Sequence, residues 1–124
     1  MFPTDPHRAI MWYWLGKMRA NYDAMRCADE SARRGVPALN EHVPDVVLYI
    51  QAHPHESSAA GFETLAWDAE RPSLASPLWI CFHGMTSLYT SEPPCLVPED
   101  QWPALSQQVR QGMQEFFQEQ AASK

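Results

Sequence analysis

The sequence predicts an α+β fold: a long N-terminal helix, an antiparallel meander of three or four strands, and a C-terminal helix. Three observations predict it. Apolar residues recur at helical spacing near both ends of the chain. Three stretches in the middle alternate with the two-residue period of strands. The connections between those stretches are short, which favours a meander.

The first helix is expected from Asp5 to Arg34. Asp5 suits the N-cap, Pro6 the first helical position and Gly35 a left-handed C-terminal position, with Val36-Pro37 forbidding continuation. Met11, Leu15, Met18, Tyr22, Met25 and Ala32 form the apolar stripe, widened by Ile10 and Trp14 and interrupted by Asp29. The other side reads Arg19, Asp23, Arg26, Glu30, Arg33, a ladder of opposite charges that is expected to be solvated. The strands follow. "DVVLYIQ" (45–51) is rich in branched and aromatic residues, and "GFETLAWD" (61–68) and "PLWICF" (77–82) alternate. His83-Gly84 reads as a tight hairpin leading to a short fourth strand over Met85 to Tyr89. Residues 90–98 form a Pro-rich loop. The last helix is expected from Asp100 to Ala121, with Pro103 in its first turn. Trp102, Leu105, Val109, Met113, Phe116 and Phe117 form its apolar side, against a Gln-rich one.

With 124 residues the chain is expected to form one domain, 1–124, able to bury roughly two-thirds of its unfolded surface. Three cysteines, Cys27, Cys81 and Cys95, do not suggest a disulfide framework. No apolar run approaches the ~18 residues of a membrane span, and the N-terminus lacks the basic start and cleavage site of a signal peptide. Together these point to a cytoplasmic protein away from membranes. The net charge of −6 is uneven: residues 1–34 carry six cations against four acids, and the remainder three against eleven. Most of the chain would repel phosphates, so nucleic acid is not an expected partner, although the helix–strands–helix order is shared with double-stranded-RNA-binding domains. A basic protein would be attracted.

The expected sheet is apolar on both sides. If Leu48, Ile50, Ile80 and Phe82 pack against the helices, Tyr49, Leu65, Trp67, Trp79 and Cys81 face away, where an open antiparallel sheet should turn polar. A loop or helix, a second copy, or another protein must cover that side. Tyr49, Leu65, Trp67 and Trp79 are therefore the expected partner-binding anchors, with Glu63 and Asp68 steering a basic partner. A homodimer is expected.

Motifs for chemistry are sparse. Zinc could be held by Cys81, His83 and Cys95 with His53 or His55 from "QAHPHES" as the fourth ligand, but no paired C-x-x-C supports it. Cys81 with His83 is the only close nucleophile–base pairing, and no phosphate-binding glycine motif is present. No cofactor is expected, and an enzyme is the less favoured class. The reading is a small, acidic, non-catalytic protein-binding module in the manner of inhibitors, immunity proteins or chaperone-like adaptors. The alternative is a metal-binding protein or small hydrolase built on His53, His55, Cys81 and His83. A weaker alternative is a small-ligand binder using the "SEPPCLVP" loop.

Overall fold

The computed structural model describes residues 4–123, without the side chains of Thr86 and Ser87. The described residues are mostly helical, with irregular stretches at 71–77 and 89–98. Its elements are α1 (Pro6–Met25), α2 (Gly35–Ala38), α3 (Pro44–Ala52), α4 (Pro54–Glu70), α5 (Leu78–Cys81) and α6 (Trp102–Ala121), joined by 3₁₀ turns at Glu30–Arg34, Leu39–His42, Met85–Leu88 and Glu99–Gln101. Among the described residues there is no strand. The one extended contact is an isolated antiparallel bridge between Cys27 and Leu96. The expected α+β meander is thereby overturned, and the sheet whose outer side needed a cover does not exist.

The physical reason lies in the middle of the chain. An unbroken apolar run such as Val46–Ile50 satisfies a two-residue and a 3.6-residue period equally well. The proline positions decide it. Pro44 and Pro54 each occupy a helix N-terminus, where the missing N–H costs nothing and φ is already helical. Asp45 and Glu56 add the acids favoured in a first turn. In 61–68 the buried set extends back through Ser57, Ser58, Ala60 and Gly61 to Thr64 and Leu65, which is helical spacing carried by small residues. "PLWICF" forms the single turn of α5, and the expected fourth strand is the 3₁₀ turn 85–88. His83-Gly84 is not a hairpin: among the described residues no backbone has positive φ. Gly84 is needed for proximity, since a Cβ there would lie 2.5 Å from the Asp29 carboxylate.

α1 starts as the sequence suggests, with the Asp5 carboxylate accepting from the Arg8 amide at 3.1 Å. It stops nine residues before Arg34. Beyond Met25 the chain pairs with the Pro-rich loop, Ala28 N–H donating to the Cys95 carbonyl and Val97 N–H to that of Arg26. Cys27 is bonded to Cys81. The stripe-breaking Asp29 then caps the turn 30–34 by accepting from the Ser31 amide. Gly35, with φ −67°, opens α2 instead of closing α1. The disulfide also corrects the expectation that the three cysteines form no bridge, and with it goes their part in the argument for a cytoplasmic protein.

Two cores result. α1, α4 and α6 pack against one another around Ile10, Trp14, Leu15, Met18, Leu65, Val109 and Phe117, with Ile50 of α3 at the edge. Their close approach depends on small side chains: Ser57 Oγ accepts from the Trp14 indole at 3.0 Å, and Ser58 Oγ donates to the Phe117 carbonyl at 2.7 Å. Gly61 lets the Phe117 ring lie directly on the α4 backbone. The second core joins Ala20, Ala24, Cys27, Ala32, Val36, Ile80 and Cys81 at the far end of α1.

Candidate interaction surface

The residues expected to form one binding face are dispersed by the helical fold. Leu65 is in the first core. Tyr49, on α3, donates its hydroxyl to Glu56 at 2.6 Å and stacks on His53 with ring centroids 3.9 Å apart. The carboxylate holds the phenol proton, and this hydrogen bond is the main reason the Tyr49 pKa is raised. Trp67, half-exposed, lies between the guanidinium groups of Arg19 and Arg71, at 5.5 and 4.8 Å. Trp79, on α5, donates its indole N–H to Asp23 at 2.7 Å.

That last contact belongs to a buried polar knot. Asp23 and Arg26, expected in a solvated ladder, are each only 3% exposed and form an ion pair. The Arg26 guanidinium also donates to the Ala75 carbonyl and packs between the rings of Tyr22 and Trp102 at 4.1 and 4.6 Å. Apart from Tyr22, the rings that cover this pair, Trp79 and Trp102, come from far away in sequence, which helical periodicity within α1 cannot reveal.

The acids proposed to steer a partner are engaged within the chain. Glu63 accepts from His7 at 2.9 Å. Asp68 accepts from Arg19 at 3.0 Å and from Arg110 at 2.5 Å, tying α4 to both other long helices.

The metal ligands do not assemble. Cys81 has its sulfur in the disulfide, which removes it as a thiolate ligand or a nucleophile. His53 is the single residue between α3 and α4, and its Nδ1–H donates to the Tyr49 carbonyl at 2.9 Å. His55 donates to the Ser123 carbonyl at 2.5 Å. His83 follows α5 on the surface, and Cys95 is an exposed thiol in the loop. Among the described residues no three His, Cys, Asp or Glu side chains group as a metal site. "QAHPHES" is the joint between two helices. The "SEPPCLVP" loop does border a cavity of about 310 Å³, shared with Ala28, Asp29 and Cys81.

The feature that strand reading missed is Trp12. It lies outside the apolar stripe of α1 and is 60% exposed. A Trp on the polar side of an amphipathic helix is the signal that finds it. An apolar groove runs along each of its flanks. One, of about 190 Å³, is lined by Arg8, Met11, Leu15, Thr64 and Trp67. The other, of about 360 Å³, is lined by Ala9, Tyr13, Gly16, Lys17, Leu39, Val43 and Val46. The second groove is open above Gly16, where no atom would come within 4 Å of a Cβ. Lys17 and Tyr13 both donate to Asn40 Oδ1, at 3.1 and 3.0 Å. Burial lowers the Lys17 pKa and raises that of Tyr13, the latter offset in part by Asn40. Among the described residues no carboxylate lines either groove. Among the described residues no helix is long and apolar enough to cross a membrane. Comparison of the chain with protein-family models, curated proteins and solved structures found no match.

Proposed function

We propose that the chain is a protein-binding module that receives an apolar, acidic helical segment of another protein across Trp12. One observation carries the reading: a largely exposed Trp in the middle of a long helix, with an apolar groove on either flank. Isolated exposed aromatics are ordinary, but one that walls two apolar grooves is the arrangement of a hot-spot anchor. Arg8 borders one groove and Lys17 the other; they are about 13.5 Å apart along the α1 axis and leave opposite sides of the helix. Their placement, one cation at each groove, supports a partner that carries an acid toward each. It supports such a partner over a basic one, since Glu63 and Asp68 are already paired. For the compartment, the Cys27–Cys81 bond supports an oxidising space over the cytoplasm.

The test uses two labelled amphipathic helical peptides of equal length, one of Leu and Glu and one of Leu and Lys, followed by fluorescence anisotropy. The Leu/Glu peptide is expected to bind. Trp12→Ala is expected to weaken it by about thirtyfold or more, the loss of a hot spot worth roughly 2 kcal/mol. Gly16→Phe, which fills the open groove, is expected to block it. Tighter binding of the Leu/Lys peptide, or indifference to both substitutions, would overturn the reading.

A further inference from the structure

The longest interval without charge in this acidic chain runs from Pro72 to Ser91, twenty consecutive residues with no Asp, Glu, Lys or Arg. Six of its large apolar side chains are exposed: Leu74, Trp79, Phe82, Met85, Leu88 and Tyr89. Leu74 is 96%, Tyr89 81% and Leu88 72% exposed, so these three contribute almost nothing to either core. Yet the segment is held between residues 75 and 85 over the end of α1 and the turn 30–34. Cys81 is bonded to Cys27, the Trp79 indole donates to Asp23, the Ala75 carbonyl accepts from Arg26, and the Met85 amide donates to Ser31 Oγ at 2.6 Å. A segment fixed in this way meets a partner with little ordering entropy left to lose.

We infer that this segment is the interface between two copies of the chain, packed about a two-fold axis. Charge selects the occupant. Two molecules of net charge −6 repel each other, and residues 72–91 are where they can touch without opposing like charges. The absence of acids here also gives a basic partner nothing to recognise. The segment itself carries no cation for an anionic lipid surface, which would find only Arg33 and Arg34 on the neighbouring turn. Area agrees: the six side chains leave on the order of 700 Å² exposed, close to the ~800 Å² that each partner contributes to a standard interface. Aromatic, Met and Leu side chains without charge are also the composition of homodimer cores. In a two-fold arrangement each copy offers the same surface, so Leu74 and Leu88 of one protomer are buried by the other. The inference is independent of the Trp12 grooves, which involve other residues.

Sedimentation velocity and chromatography with light scattering, in non-reducing buffer from about 1 to 100 µM, test it. The protein is expected at twice its 14.1 kDa. The double variant Leu74→Asp, Leu88→Asp is expected to weaken dimerisation by about a hundredfold or more while keeping its far-UV circular dichroism spectrum, because both side chains are exposed in the protomer. Trp12→Ala is expected to remain dimeric. A wild-type protein that is monomeric throughout, or a double variant that stays dimeric, would overturn the inference. So would a monomeric wild type that floats with neutral phosphatidylcholine vesicles, which would assign the segment to a lipid interface.

Discussion

The same substitution at two helical glycines should have opposite effects. At Gly16, in α1, a Cβ would meet nothing within 4 Å. Gly16→Ala should therefore realise the full helix-propensity gain of about 1 kcal/mol. At Gly61, in α4, a Cβ would lie 2.5 Å from Phe117 Cδ1 and Cζ. Carbon atoms prefer about 3.5–4.0 Å, so the ring must retreat by roughly 1 Å. It has nowhere to go. Phe117 is 1% exposed and its centroid is 5.0 Å from that of Trp14, 5.8 Å from Phe62 and 6.0 Å from Phe116. Overpacking of this kind costs up to about 3 kcal/mol, which the propensity gain reduces to about 2. The two alanine variants should thus differ by about 3 kcal/mol in urea unfolding monitored by circular dichroism. Gly61→Ala unfolding at or above the wild-type midpoint would refute the claimed contact between α4 and α6.

Three further outcomes follow from the fold. Cys27 and Cys81 are 54 residues apart, so in the loop-closure account replacing both by Ser should cost about 4 kcal/mol, read as a fall in the urea midpoint that dithiothreitol does not deepen. Asp23→Ala would leave Arg26 buried without its carboxylate and should cost about 3–5 kcal/mol, whereas Glu70→Ala, at an exposed pair, should cost less than about 1; thermal melts distinguish them. Tyr49 should titrate above 10.0 in absorbance at 295 nm, and Glu56→Gln should bring it back toward that value. Because the neutral phenol is favoured in the fold, its contribution is complete below 10.0 and is lost as pH rises through the raised value.

The starts of the two end helices were legible because each has a helical period and a proline in its first turn, whereas Gly35 misplaced the end of α1. Asp5-Pro6 caps α1, and the apolar side chains named for the last helix lie on α6, which begins two residues after the expected start. The middle was not legible because its apolar runs fit two periods at once. The decisive residues there were small ones. Ser57, Ser58, Ala60 and Gly61 make a helix-packing surface that a search for large apolar side chains passes over. Pro54 follows the apolar run 46–50 closely enough to suit a turn after a strand, but a proline two residues before a glutamate is equally a helix start. Asp29 was visible as the break in the first stripe, but the cause of the break is the loop at Cys95–Val97, distant in sequence. No rule of spacing pairs Cys27 with Cys81 over Cys95. Of the candidate surface, Trp12 and the uncharged interval 72–91 were both written in the sequence. The grooves beside Trp12 were not, because they depend on how α3 and α4 meet α1.

The Cys27–Cys81 bond has a topological consequence. It closes a covalent ring that contains α2, α3 and α4, while all of α1 and all of α6 hang from the ring as tails. A protease that cuts the chain once between residues 28 and 80 opens the ring without dividing the molecule. The nicked protein keeps both tails, and so its three-helix core, on one covalent body until the disulfide is also reduced.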